Sequence, residues 1–337
     1  MKYILLSILI VQSLQESVVY FTKEITSSKM VEMLKQLNLE LKGKVGLKIH
    51  YGEPNGPYFL RPDFLQEIYD YTEGTYLECN TAYTSVRSST EGHKKLLDDN
   101  GWTKNNRRIV IMDENPNDDF ELTVKNPEMI KQNYVGGRLK EFNSCIVLSH
   151  FKGHQMGGFG AALKQLSIGF ASQKGKTWIH TAGEYTDWHY AMSEAATQEK
   201  FTAAMADAAS TIVDYFREKG TIGFITVMAN ISLSCDCAGA SAPTPKIKDI
   251  GILASTDPVA IDQAALDLID LYKDDGAEDL LNQIRRLKGE NTVNVAEKIG
   301  LGSTEYTIID IDEKSNKSYG SNIFICTGLL LFMIFLL

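Results

Sequence analysis

Short apolar runs alternate with amphipathic runs along most of the chain. Runs rich in β-branched and aromatic residues are typical of strands, whereas apolar positions three or four residues apart are typical of helices. The alternation predicts an α/β protein with a largely parallel β-sheet flanked by helices, built as one body or as two lobes around a cleft. The predicted strands are 17–21, 45–50, 75–79, 109–112, 145–149, 222–228, 250–254 and 306–311.

Two helices are predicted with defined starts or faces. One long helix is predicted over 194–219, because five apolar positions recur there at helical spacing. A second helix is predicted to begin at Asp257-Pro258, since Asp caps helix N-termini and Pro is favoured in the first turn. The five apolar positions of the long helix are Phe201, Met205, Ala208, Ile212 and Phe216.

Both ends of the chain differ in character from its middle. Lys2 precedes an apolar run over 3–11, and a polar stretch precedes a second apolar run over 323–337. The first pattern is typical of a signal peptide, and the second of a GPI-attachment signal or a tail anchor. We therefore predict a signal peptide over 1–13, one domain over 16–315 and a GPI signal or tail anchor over 316–337. The predicted location is the secretory pathway, at the cell surface or in a lumen, with glycosylation sequons at Asn230 and Asn316.

Composition excludes one class of partner. The chain has 34 basic and 43 acidic residues, a formal net charge of -9, and no cluster of Lys and Arg. Binding to a phosphate backbone depends on such clusters, so nucleic acid is not an expected partner. The expected partners are a small anionic ligand and, through the tail or a lipid, a membrane.

Polar residues follow the predicted strands at their carboxyl ends. In a parallel sheet these ends meet at one edge, where ligands bind. The segments that this rule brings together are 50–53, 79–81, 149–152, 230–237 and 255–257.

The segment 150–164 contains the most promising chemistry. A buried strand is predicted to deliver His150, a loop then carries His154, and a Gly/Ala-rich run precedes Lys164. Small residues let a ligand approach the backbone, and free N–H groups at a helix start attract anions. His154 and Lys164 are candidate catalytic residues. Candidate cofactor-binding residues are His50, Gly157, Gly158, Gly160 and Lys164; candidate metal ligands are His150, His154, His180, Cys235 and Cys237.

The cysteines allow two interpretations. Cys235 and Cys237, one residue apart, could bind a soft metal together with a His, or could each be bonded elsewhere. Cys79 and Cys145 are too far from them in sequence to suggest a disulfide framework.

Several stretches resemble the family called domain of unknown function 362. The likeness runs from about residue 18 to about residue 271, in one order. The resemblance implies an uncharacterised α/β protein, and members of the family often carry a ferredoxin-like module with two iron–sulfur clusters. The matching stretches are KIHYGE at 48–53, SHFKGH at 149–154, GFGAALK at 158–164, CDC at 235–237 and DIGILASTDPVAID at 249–262.

One departure from the family pattern bears on the cofactor. No Cys occurs between Gly175 and Phe201, where the ferredoxin-like insert is expected. Iron–sulfur clusters of that type require closely spaced Cys ligands. We therefore do not expect an iron–sulfur cluster; the cofactor is left open, and a divalent metal is one candidate.

The order His154, Gly158-Phe159, Lys164, His180 also resembles the active-site stretch of lactate racemase. That enzyme uses a nickel-pincer nucleotide. The resemblance implies an acid/base role for His154, covalent attachment of the cofactor to Lys164 and a nickel ligand at His180. Gly160 and Ala161-Ala162 replace a Ser and a pair of Gly in that stretch.

Two functional classes follow from these observations. One is a protein with a metal- or anion-binding cleft, acting as an enzyme with His acid/base groups. The other is a non-enzymatic cell-surface binding protein that keeps the fold without a redox module. The retained His and Lys set favours the first class, and the missing insert favours the second.

Overall fold

The computed structural model of the chain describes residues 16–115, 117–272, 274–316, 324–327 and 330–331. All eight predicted strands are present, within two residues of their predicted bounds. The strands are β1 (Ser17–Thr22), β2 (Val45–Lys48), β3 (Thr75–Glu78), β4 (Ile109–Ile111), β5 (Asp119–Thr123), β6 (Gln132–Gly136), β7 (Ser144–His150), β8 (Lys152–His154), β9 (Gly158–Gly160), β10 (Thr221–Met228), β11 (Gly251–Ser255), β12 (Tyr306–Asp310), β13 (Phe324–Thr327) and β14 (Leu330–Leu331).

Ten of these strands form one sheet in the order β14-β13-β12-β1-β11-β10-β7-β2-β3-β4. Among the eight predicted strands, β11 alone runs against the others, because it pairs antiparallel with both β10 and β1. All other pairs among these eight strands are parallel, whereas β13 and β14 add antiparallel pairs next to β12. The prediction of an α/β fold with a largely parallel sheet is therefore confirmed. Two small antiparallel ribbons, β5–β6 and β8–β9, lie outside the sheet.

Helices connect the strands and cover both faces of the sheet. The predicted long helix is α7, which begins at Gln198, four residues later than predicted, and ends at Lys219 as predicted. The predicted start at Pro258 is correct for α8. The helices are α1 (Ser27–Gln36), α2 (Gln66–Thr72), α3 (Thr90–Asp99), α4 (Ala162–Lys164), α5 (Gln173–His180), α6 (Tyr190–Ser193), α7 (Gln198–Lys219), α8 (Pro258–Tyr272), α9 (Asp275–Arg286), α10 (Glu290–Lys298) and α11 (Ile311–Asn316).

Side chains alternate between two hydrophobic cores, one on each face of the sheet. Neighbouring residues of β10 show this, since Phe224 lies in one core and Ile225 in the other. Strand geometry sends successive side chains to opposite faces. One core includes residues of α7, α8, α9 and α10, and the other includes Met30 and Met33 of α1. A sheet with helices on both faces leaves its carboxyl edge as the place where loops meet.

The direction of β11 corrects one expectation. The segment 255–257 was expected at the same edge as the other polar strand ends. Because β11 is antiparallel, Ser255 and Asp257 lie at the opposite edge. Asp257 caps α8 there, where its Oδ1 accepts hydrogen bonds from Val259 N and Ala260 N.

The predicted location, a membrane-anchored protein of the cell surface or lumen, is also corrected. Within the described residues, no helix is long and apolar enough to cross a membrane. Within the segment 316–337, Phe324–Thr327 form strand β13, which pairs with β12 in the sheet. The predicted signal peptide, 1–13, lies outside the described residues.

Candidate functional site

A cleft of about 350 Å³ opens at the carboxyl edge of the parallel strands. Glu78 ends β3, His50 follows β2, and the loop after β10 brings in the two cysteines. Six of the predicted site residues line this single cavity, although the chain separates them by up to 187 residues. They are His50, His154, Lys164, His180, Cys235 and Cys237.

Lys164 lies at the junction of α4 and a π-helical segment, Gln165–Gly169. Such π turns are rare and are frequent at functional sites. Lys164 is half-buried and faces the cleft. Burial, and next the charge of Lys152, lowers the pKa of Lys164 to about 7. Near neutral pH the side chain is therefore present both as a cation and as a free amine.

The start of α4 is held by a carboxylate of the protein itself. Ala162 N and Leu163 N donate hydrogen bonds of 2.8 and 2.9 Å to the two oxygens of Asp262. Burial raises the pKa of Asp262 to about 7. The expectation that free N–H groups at this helix start bind an external anion is corrected, because Asp262 already occupies them. Asp262 instead fixes the short helix that presents Lys164.

His154 ends β8 and is buried at the cleft wall. Its Nδ1 accepts hydrogen bonds from Met156 N at 3.2 Å and Gly157 N at 2.9 Å. A neutral imidazole that accepts at Nδ1 carries its proton on Nε2. Burial, and next the charge of Lys164, holds the pKa of His154 well below its usual value. The ring is therefore a neutral hydrogen-bond donor through Nε2, an arrangement used in acid/base sites.

His180 has the opposite tautomer. At the end of α5, its Nδ1 lies 2.7 Å from Lys176 O, so Nδ1 donates and Nε2 keeps its lone pair. The ring stacks on Phe201, with 4.8 Å between ring centroids. Burial lowers the pKa of His180 to about 4. Histidines that bind metals usually donate their other ring N–H to a carbonyl or carboxylate, so His180 fits a metal ligand.

His150 is placed differently from the other histidines. Its Nε2 lies 2.7 Å from Ala229 O, and its Nδ1 lies 3.1 Å from both oxygens of Asp236. Both ring nitrogens thus face acceptors, and neither offers a lone pair to a metal. Lys152 also donates to Asp236. Burial alone would raise the pKa of Asp236, but Lys152 and His150 hold it well below its usual value. His150 belongs to a buried ion cluster beside the cleft.

A second ion cluster underlies the other wall of the cleft. Arg87 is buried and donates to Glu53 at 2.6 Å and to Glu78 at 3.3 Å. Its Nη2 also lies 3.2 Å from Nε2 of His50, whose Nδ1 accepts from Gly52 N. Burial, and next Arg87, holds the pKa of His50 well below its usual value, so this ring is neutral. Glu53 and Glu78 are bound to Arg87 and are not free bases.

The three predicted glycines shape the chain around the cleft. Gly157 contributes the N–H that fixes the tautomer of His154. Gly158 has φ +78°, and a Cβ there would lie 2.9 Å from Gly289 Cα, so it permits a close backbone contact. A Cβ on Gly160 would lie 3.3 Å from Cδ of Lys164. Gly160 thus leaves room for the lysine. The three glycines shape the site through its backbone and its side chains.

Cys235 and Cys237 are joined by a disulfide, with their Cα atoms 5.1 Å apart. Ligand atoms of His154, Cys235 and Cys237 lie within 4.8 Å of one another, which makes them a possible metal-binding group. Disulfide sulfurs are not thiolates, so this group can bind a metal only after reduction. Cys79 and Cys145 are free, buried thiols; burial raises the pKa of Cys145 to about 12.

Three residues of the site were not among those predicted. Lys176 lines the cavity one helical turn before His180, and this spacing in the sequence was an available signal. Arg87 is an isolated charge in the sequence, and only the folded chain brings it to the cleft. Asp236 lies between the two predicted cysteines and lines a small cavity beside the cleft, so its position in the sequence was an available signal. Both side chains are buried in ion pairs, and the burial of a single charged residue cannot be predicted from the sequence.

Fold and site together define an α/β protein with a cationic cleft at the carboxyl edge of a mostly parallel sheet. The model of the family described as "Domain of unknown function (DUF362)" matches residues 45–267, which is more than half of the chain. The chain belongs to this family. Comparison with curated proteins gives no match.

Two solved structures are weakly similar to the chain. One is a crystal structure of a protein from Thermotoga maritima, with a TM-score of 0.40, 12% identity, and coverage of 81% of this chain and 58% of that one. The other is lactate racemase apoprotein from Thermoanaerobacterium thermosaccharolyticum, with a TM-score of 0.43, 10% identity, and coverage of 74% and 56%. The chain thus spans less than two thirds of either protein.

Proposed function

We propose that the protein is an enzyme that binds a small anionic ligand in the cleft and acts on it with Lys164 and His154. The observation that carries this proposal is the position of Lys164. It faces the cavity without an ion-pair partner among the described residues, and its pKa is about 7. An ammonium group placed in this way lacks a counterion, and an anionic ligand would supply one.

The two residues would have complementary roles. Protonated Lys164 holds the anion, and the neutral amine is the nucleophilic form of the same side chain. His154 donates from Nε2 to an oxygen of the ligand, because its Nδ1 is occupied by two backbone N–H groups. His50, neutral beside Arg87, lines the same cavity as a further polar contact.

Binding measurements on matched variants test this proposal. Small carboxylates and inorganic phosphate are titrated into the wild type and into Lys164→Met, His154→Ala and the control Lys200→Met, which changes an exposed lysine. A hydrogen bond to a charged group contributes about 1.5–3 kcal/mol, so Lys164→Met should weaken binding at least tenfold. Equal binding by Lys164→Met and Lys200→Met would refute the site. Consumption of a bound compound would separate an enzyme from a protein that only binds.

A second candidate function is metal binding, and the tautomer of His180 favours it. His180 lines the cavity and keeps a lone pair on Nε2, and reduction of Cys235 and Cys237 would give two thiolates in the same cavity. His154 is a weaker candidate ligand, since its Nε2 carries a proton. Elemental analysis of the protein, purified with and without reductant, tests this function. A near-stoichiometric divalent metal that is lost in His180→Ala would support it, whereas background metal in both preparations would exclude it.

A further inference from the structure

The cleft is lined by both polar and apolar side chains. Lys164 and Glu78 are among its polar lining residues. The same cavity is lined by Met156 and Ile168, both half-buried, and by Met192, which is 48% exposed. Ligand sites are commonly apolar over most of their surface, with a few polar groups that fix orientation.

The volume of the cleft exceeds the need of a small anion. A water molecule takes about 30 Å³ of liquid volume, so 350 Å³ corresponds to about a dozen such volumes. A two-carbon acid has four non-hydrogen atoms and would fill about a third of this space. The remaining space borders the two methionines and the isoleucine.

The charges lining the cleft favour a ligand with one negative charge. Arg87 is paired with Glu53 and Glu78, and the latter lines the cavity itself. Lys164 and Lys176 have no ion-pair partner among the described residues, and Lys176 donates to Ala171 O. A second negative charge on the ligand would approach Glu78, so a carboxylate suits the site better than a doubly charged phosphate.

Two exposed aromatic side chains precede Met192 in the sequence. Tyr185 and Tyr190 are stacked with 4.9 Å between ring centroids, and both are exposed. They lie in the same short segment as Met192. Exposed aromatic residues and a flexible methionine are suited to contact with an apolar group of varying shape.

We infer that the ligand is an amphipathic carboxylate, whose anionic group contacts Lys164 and whose apolar chain lies against Met156, Ile168 and Met192. This inference rests on the proposed function and names the class of ligand for the same site. The chain would extend from Lys164 toward Met192, whose side chain is exposed.

A homologous series of straight-chain acids tests the inference. Dissociation constants for acetate, butanoate and hexanoate are measured by ligand-detected NMR at pH 6.5, where Lys164 is mostly protonated. Burial of one CH₂ contributes about 0.8 kcal/mol, which predicts about fourfold tighter binding for each added CH₂. Met192→Ser should weaken hexanoate several-fold and leave acetate unchanged. Leu271→Ser is the matched control, because Leu271 is 55% exposed and does not line the cavity.

The outcomes separate this inference from the proposed function. Equal affinity for all three acids, with binding lost in Lys164→Met, would overturn the inference and leave the anion site intact. The inference also fails if Met192→Ser and Leu271→Ser change hexanoate binding equally. If no acid binds in a Lys164-dependent way, the proposed function fails and the inference fails with it.

Discussion

Replacement of Lys164 by methionine should stabilise the ligand-free protein at low pH. The pKa of Lys164 falls from 10.5 to about 7 on folding. Each pKa unit corresponds to about 1.4 kcal/mol, so the full cost of holding the ammonium in the cleft is about 5 kcal/mol. The side chain is only half-buried and meets solvent in the cleft, so we expect about half of this cost. The free energy of unfolding of Lys164→Met should therefore exceed that of the wild type by about 2 kcal/mol at pH 6.

The sign of the pH dependence follows from proton binding. Between pH 7 and 10.5 the unfolded chain holds a proton on Lys164 that the folded protein has lost. Stability of the wild type therefore rises with pH across this window, and below pH 7 the cost is fully present. The advantage of Lys164→Met should shrink as the pH rises from 7 toward 10.

Urea unfolding of the wild type, Lys164→Met and Lys200→Met at pH 6, 7, 8 and 9 measures this effect. The exposed control should show no pH-dependent gain over the wild type. Two results would refute the reasoning: a Lys164→Met variant less stable than the wild type at pH 6, or a difference that stays constant across the four pH values. Either result would mean that the ammonium is already compensated within the protein.

Three further predictions concern the supports of the site. Asp262→Ala should destabilise the protein by about 3 kcal/mol, because two backbone N–H groups lose a buried carboxylate; unchanged urea unfolding would contradict the proposed role of Asp262. Arg87→Met should lower the free energy of unfolding by about 3–5 kcal/mol, since its carboxylate partners would remain buried and unpaired. A loss below 1 kcal/mol in urea unfolding would argue against that ion cluster. Prior reduction should raise by two the number of thiols titrated in urea, owing to Cys235 and Cys237; an unchanged count would show that they are not bonded to each other.

The sequence was sufficient to predict the main strands. Each of the eight predicted strands is a short apolar run, and β7 is buried at all seven positions. The ribbon β8–β9 was missed because Lys152-Gly153-His154 and Gly158-Phe159-Gly160 contain Gly and charged residues, which are rare in strands. Tertiary contacts stabilise this ribbon, and such contacts cannot be predicted from the composition of the two segments. The direction of β11 was equally hidden, since an apolar run is the same in either orientation.

The clustering of His154, Lys164 and His180 was predictable, but their individual chemistry was not. The sequence shows three residues within a short segment near a strand end. It does not show that Met156 N and Gly157 N bind Nδ1 of His154, which decides the position of its proton. The role of Asp262 was missed for a similar reason: it lies on α8 but caps α4, about 100 residues away in the chain.

The position of β1 in the sheet bears on how the chain is synthesised. Its two neighbours, β11 and β12, begin at Gly251 and Tyr306. At about 5–20 residues per second, the ribosome needs on the order of ten to fifty seconds to reach the first of them. For that time β1 has open hydrogen-bonding edges and apolar side chains without a partner. The nascent protein is thus most exposed to misassembly before β11 emerges, and a chaperone that covers residues 17–22 would act in that interval.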